Sequence, residues 1–241
     1  MAASTLQTKS ISSEKFVESC GAILFDLSDL TDIKTCLIQH KDSGEWHFAK
    51  GRRNQGEARK DAAVREVMEE TGFRCRLLPL TMPTRATPVD AHADVLDKAQ
   101  VCENLTEPFM CHIRTLKNGK GTKMIWWFVA ALEGDEDMGK LPGEVKYLPS
   151  FLSWRDALKS LTFQNDRELL QKALSLLQMT YSRIEPLDME LKQSKRIPGN
   201  SSSPGQTATI SKKAARRAAK DAKAVKRQRL KKEHDQKISE S

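Results

Sequence analysis

The chain has no run of eighteen or more apolar residues, which excludes a membrane-spanning helix. Its start, Met1 to Glu18, is polar and lacks the apolar segment of a secretory signal. Cysteine is scarce and scattered: the five thiols at Cys20, Cys36, Cys75, Cys102 and Cys111 form no C-x-x-C pair. That pattern argues against a zinc site and a disulfide framework. It predicts reduced, mostly buried thiols of an intracellular protein, cytoplasmic and/or nuclear. Aromatic residues make up only 6% and apolar residues 39% of the chain, so part of it is expected to stay outside the core. No internal repeat is visible.

Charge is unevenly placed. The formal total is +8, but Lys212 to Lys232 holds eleven Lys/Arg against one Asp, or +10. The remainder therefore carries 8 − 10 = −2. The segment before this block, Lys195 to Ser211, is rich in Ser, Gly, Pro and Thr and reads as a disordered linker. The block itself has no apolar stripe worth burying and would be marginal as a lone helix. The expected organisation is a flexible N-terminus over 1–18, a folded domain over 19–185 and a disordered basic tail over 186–241. Such a tail suits a phosphate-rich partner such as RNA, or a nuclear-import receptor, through residues 212–232.

Within the domain, apolar runs predict strands at Cys20 to Leu27 and Thr35 to His40. Phe73 to Leu80 alternates and reads as a further strand, cut short by Pro79. Thr81 to Thr106 reads as a long loop with a short helix around Ala91 to Ala99. Glu107 to Leu116 and Lys123 to Leu132 flank Asn118-Gly119, a strong hairpin signal, and should pair antiparallel. Alternation sends Trp126 and Phe128 to one face and Trp127 to the other, with Trp126 expected in the core. Phe151 to Met179 carries a helical pattern, expected to break near Thr162 to Asn165.

The chemistry gathers between Gly51 and Phe73. Glu66, Glu69 and Glu70 fall at i, i+3 and i+4, which stacks three carboxylates on one helical face. Like charges so placed repel, and a hard divalent cation such as Mg²⁺ would reverse that penalty. Gly51 and Gly56 allow a tight entry loop, and Gly72 sits where a glycine ends a helix.

Gly51, five residues, Glu57, seven residues, then Arg65-Glu66-Val67-x-Glu69-Glu70-x-Gly72-Phe73 resembles a complete Nudix box. The resemblance implies an α+β fold, an α/β/α sandwich around a mixed sheet. It implies a hydrolase that cleaves a phosphoanhydride with Mg²⁺ or Mn²⁺. By that resemblance Gly51, Glu57, Glu66, Glu69 and Glu70 are the candidate metal ligands, with Glu69 and Glu70 foremost. Glu66 would be a ligand or the general base, and Arg65 would orient the glutamates. An acidic residue outside the box is also expected, from among Glu103, Glu107, Glu133 and Glu144.

The preceding Trp46-His-Phe-Ala-Lys50-Gly51-Arg52 resembles the W-x-x-P-K-G-x entry of the diadenosine and diphosphoinositol polyphosphate hydrolases, with Ala49 where that pattern has Pro. Lys50, Arg52 and Arg53, with Trp46 as a stacking surface, are the candidate substrate contacts. Their charge favours a small polyanion of that kind. RNA cap hydrolysis is the alternative within the enzyme class, and a non-catalytic nucleotide or RNA sensor is a third reading. None of His40, His47, His92 and His112 has the spacing of a shared metal site.

Overall fold

In a computed structural model, residues 6–88, 91, 96–117, 120–134 and 143–181 are described. A single 3-10 turn (Ser13–Lys15) leads into β1 (Phe16–Asp26), followed by β2 (Lys34–His40), β3 (Trp46–His47) and β4 (Lys50–Arg52). Helix α1 (Arg59–Thr71) comes next, then β5 (Cys75–Leu77), β6 (Leu80–Thr84), β7 (Gln100–Leu105), β8 (Met110–Thr115) and β9 (Thr122–Leu132). The domain closes with β10 (Tyr147–Ser153), α2 (Trp154–Ser160) and α3 (Gln164–Thr180).

β1 is the centre of a mixed sheet. It runs parallel to β9, from Phe16 opposite Thr122 to Phe25 opposite Ala131. On its other side β2 pairs antiparallel at Phe25 and Asp26, and β4 pairs at Ser19 to Gly21. The strand alternates by period two. Cys20, Ala22 and Leu24 join Ala62, Ala63, Val67, Phe128 and Ala130 in a core under α1. Ile23 and Phe25 join Ile125, Trp127, Val129, Leu169, Leu170 and Leu174 in a core under α3. This is the expected layered sandwich, and β8 pairs β9 antiparallel as expected. Among the described residues no helix is long and apolar enough to cross a membrane.

Gly21 sits where three elements meet. A Cβ there would lie 2.5 Å from the Ala49 carbonyl oxygen and 2.8 Å from the Trp127 ring. Both are rigid, so Gly21→Ala is expected to cost about 2–3 kcal/mol through overpacking. Urea denaturation should show a lower midpoint at an unchanged slope.

Several boundaries differ from the sequence reading. β1 begins at Phe16, so the division at 18/19 falls inside a strand. The Phe73 to Leu80 segment holds β5 and only the first residue of β6; Leu78, just past the end of β5, still donates its amide to Val129 O of β9 at 2.9 Å, and Pro79 follows. β7 pairs with β6 in a separate two-stranded sheet, where a loop was expected. Its residues are mostly exposed, so no apolar alternation marked it. Residues 96–99 are not helical, and 92–95 lie outside the described residues. Phe151 to Ser153 belong to β10, an edge strand that tolerates Pro149. The helical pattern begins at Trp154, where Ser153 Oγ caps α2 by accepting from the Asp156 amide. Asn118-Gly119 and the basic tail lie outside the described residues.

Candidate active site

The site is built where β4 feeds α1. Gly51 pairs with Cys20 and turns its missing side chain toward α1. A Cβ at Gly51 would fall 1.8 Å from Glu66 Oε2, so the Glu66 carboxylate packs on bare backbone. One turn on, Glu70 Oε2 accepts the Lys50 amide at 2.8 Å. Both residues are buried, 7% and 5% exposed. Gly72, with φ 77°, ends the helix in the left-handed conformation and donates its amide to Met68 O, which matches the expected cap.

Burial dominates the electrostatics. It raises the Glu70 carboxyl to about 7; the Lys50 amide opposes the rise, and the charges on Glu66 and Glu144 add to it. Burial also raises Glu66, against the pull of Arg65. Buried carboxylates so raised favour any cation that reaches them.

Arg65 ties the site together. It forms a fork on Glu57, Nε to Oε1 at 2.7 Å and an Nη2 to Oε2 at 3.0 Å. The other amine donates to Glu66 Oε1 at 2.8 Å and to Glu69 Oε2 at 2.9 Å. Nη2 also reaches the Arg52 carbonyl. One cation thus serves three carboxylates, and the Glu57 hydrogen bond foremost raises the guanidinium above its ordinary value. Glu57 in turn accepts the Asn54 amide at 2.8 Å, closing the loop before the helix. Arg65→Lys removes the fork, because an ammonium is a point donor. The variant is expected to melt several degrees lower, by about 1–2 kcal/mol, as scanning calorimetry would read.

Of the four extra-box candidates, Glu144 is the one brought here. Its amide donates to Glu69 O at 2.8 Å, and its charge is felt at both Glu66 and Glu70. Glu107 lines a neighbouring cleft instead, and Glu133 acts on Cys75. Among the described residues no three acidic, His or Cys side chains stand together as a finished ion cage, because Arg65 draws Glu66 and Glu69 to itself. In kind, the donors fit a hard cation: carboxylate oxygens in excess over the local positive charge, two of them kept from water.

The four substrate candidates separate. Lys50 and Arg52 pair with Gly21 and Ser19 and project to the α3 face of the sheet, where Trp46 packs against the core. Arg53 turns to the α1 face, where Nε binds Glu18 Oε2 at 3.0 Å. Glu18 carries no signal in the sequence, since its partners lie far along the chain. It accepts from Arg53, Arg59 and Trp126 Nε1. Burial alone would raise Glu18, but the bonds from Arg59 and Trp126 hold it below its ordinary value. Glu18, Arg53 and Arg59, with Glu57, Glu107 and Phe128, line a cleft of about 530 Å³. Trp126 is partly buried beneath Arg59, whose guanidinium lies 4.2 Å from its ring, and it packs against the edge of the core under α1 rather than inside it. The buried indole is Trp127, 1% exposed. His47 and His112 pack on Tyr147 and Trp127, and His92 lies outside the described residues.

A family model described as NUDIX domain matches residues 21–173, more than half of the chain. The chain belongs to the NUDIX domain family. The NUDIX domain thus takes in the β4–α1 site and both cores. Two curated relatives match over 57 residues each. One is the mRNA decapping complex subunit 2 of Schizosaccharomyces pombe, 42% identical over 23% of this chain and 7% of its own length. The other is a putative 8-oxo-dGTP diphosphatase of Bacillus subtilis, 39% identical over 24% of this chain and 37% of its own. The chain thus spans well under half the length of either relative. Among solved structures, a C. elegans Ap4A hydrolase complex covers 67% of this chain and 98% of its own, with 19% identity and a TM-score of 0.47.

Proposed function

We propose that this NUDIX protein is a pyrophosphohydrolase, dependent on Mg²⁺ or Mn²⁺, that cleaves a phosphoanhydride in a small, highly anionic substrate. The observation that carries the reading is the pair of buried carboxylates, Glu66 against Gly51 and Glu70 on the Lys50 amide, both raised by burial. Glu66, Glu69 and Glu70 with the Gly51 carbonyl would hold the cation, and Glu57 would support them through Arg65. A bound divalent ion supplies charge neutralisation for the phosphates and acidifies a water.

The chain's own residues do the rest. Arg65 fixes the rotamers of Glu57, Glu66 and Glu69, the positioning that such chemistry requires. Glu66, which burial raises against the pull of Arg65, would also serve as the proton acceptor. Lys50 and Arg52 offer positive charge on the other side of β4, a strand of only three residues. That charge supports a diadenosine- or diphosphoinositol-polyphosphate substrate over a nucleotide sugar. A panel of these compounds, with nucleotide sugars and capped RNA, tests the reading in the presence of Mg²⁺ and of Mn²⁺. Turnover confined to the sugar nucleotides would sink the polyanion assignment.

One observation favours a second reading, RNA cap hydrolysis in cytoplasm or nucleus. The curated match to a decapping subunit is joined by the basic block at Lys212 to Lys232, which would grip RNA through phosphates. Deleting Lys195 to Ser241 separates the two. Cleavage of long capped RNA would collapse under the second reading, whereas turnover of small polyphosphates would persist under the first.

A further inference from the structure

The α3 face of the sheet carries a cluster of cations that the box does not explain. Register places them. Arg52 pairs with Ser19 and Lys50 with Gly21 on β1. Lys123 pairs with Val17 of β1 and with Arg114 of β8. Side chains of directly paired residues share a face. Lys123 is two residues before Ile125, and Arg114 two after His112, which pairs with Ile125; Ile125 belongs to the core under α3. Lys50, Arg52, Arg114 and Lys123 therefore stand on one face, drawn from β4, β9 and β8, with β1 between β4 and β9.

No carboxylate among the described residues makes direct contact with the cluster's side chains. Among the described residues none of the four makes an ion pair or a side-chain hydrogen bond. Burial, then the charges of Lys50, Arg114 and Arg52, pull the Lys123 ammonium below its ordinary value. Three anions act on them: Glu66 on Lys123, Glu70 on Lys50, and Asp166, at the start of α3, on Arg114 and Lys50. Asp166 is 4% exposed, and its burial favours the neutral form, which weakens it as a counter-ion. A second observation points the same way. Ser19, paired with Arg52 and 0% exposed, has a hydroxyl with no hydrogen-bond partner. A buried hydroxyl left unpaired costs free energy that a ligand oxygen would recover.

We propose that Lys50, Arg52, Arg114 and Lys123 form an anion subsite for phosphoryl groups beyond the scissile diphosphate. Arg114 and Lys123 are then specificity-determining residues, and the preferred substrate carries at least three phosphates. Arg53 is not part of the subsite, because Glu18 holds it on the opposite face. The inference rests on the pyrophosphohydrolase reading, and the four cations sharpen it from a charge preference to a count of phosphates.

The test uses the full chain and three variants: Lys123→Met, Arg114→Met, and a tail control, Lys226→Met with Arg227→Met. Substrates are dinucleoside polyphosphates differing only in phosphate number, from two to five. KM for the longer members is expected to rise about tenfold in each subsite variant, the weight of one charge-assisted contact. kcat should hold, the two-phosphate member should change less than twofold, and the tail control should change neither. Lys123→Met should also melt no lower than the parent, since it relieves repulsion. Binding of inorganic tripolyphosphate without divalent ion provides a readout independent of turnover and should weaken in the same two variants. Equal effects on short and long substrates, or unchanged tripolyphosphate binding, would overturn the subsite. Turnover of no pyrophosphate by the parent, with tripolyphosphate binding still dependent on Lys123, would instead overturn the hydrolase reading and leave an anion-binding face.

Discussion

Glu70→Gln is expected to lower turnover on the order of 10³-fold, about 4 kcal/mol of lost stabilisation, while making the metal-free protein more stable. The two effects share one cause. In the unfolded chain the Glu70 carboxyl gives up its proton near 4.5; in the folded chain it does so only near 7. Between those values the folded state binds more protons, so stability falls as pH rises. The loss is absent below pH 4.5 and complete above pH 7, where it amounts to about 3 kcal/mol. Glutamine keeps an oxygen for the Lys50 amide and carries no charge to bury. The metal-free variant should therefore match the parent near pH 4 and melt higher at pH 8. His47 and His112, both lowered foremost by burial, push the other way as pH rises toward 6.5. The parent-minus-variant difference cancels them. A variant that melted lower than the parent at pH 8 would refute the claim that Glu70 is a strained, buried anion.

Gly51→Ala is expected to be nearly as damaging by a different route. Its Cβ would overlap Glu66, at 1.8 Å from Oε2 and 2.1 Å from Cδ. The carboxylate must leave its seat on β4, taking with it the bond from Arg65 at 2.8 Å. Turnover should fall by at least 10²-fold, and stability by about 1–3 kcal/mol. A double-mutant cycle isolates the contact. In a Glu66→Ala background the new methyl finds room, so Gly51→Ala should cost under about 0.5 kcal/mol there. Additive losses would show that Gly51 matters for its backbone conformation rather than for the space it leaves.

How far the sequence could be read follows from where each signal resides. Box positions lie within one loop and one helix, so spacing alone put Glu66, Glu69 and Glu70 on one side of α1; that Glu66 and Glu70 are buried and Glu69 is exposed comes from the fold. The α1 C-cap and the faces of Trp126, Trp127 and Phe128 are likewise local, set by one residue or by period two. Contacts across strands are another matter. Glu18, which collects Arg53, Arg59 and Trp126, is joined to them over 35 to 108 residues of chain. Nothing near Glu18 in the sequence announces that. Arg52 and Arg53 are adjacent, yet strand alternation sends them to opposite faces, which grouping by charge had merged. Arg114 and Lys123 became visible only when β8 and β9 were brought into register with β1. β7 and β10 were missed for physical reasons: one is a polar, exposed ribbon and the other an edge strand carrying Pro149. The basic tail lies outside the described residues, and its role is open to the truncation described above.

The central claim is that the box carboxylates serve a divalent cation in breaking a phosphoanhydride. The most direct measurement is turnover of the polyphosphate panel by the full chain, stripped with a chelator and titrated with Mn²⁺, with the released phosphorylated products quantified. The account predicts no turnover in the stripped protein, saturable recovery with metal, and no recovery in Glu70→Gln at the same concentrations. Turnover that survives chelation, or metal-restored turnover that Glu70→Gln retains in full, would contradict it.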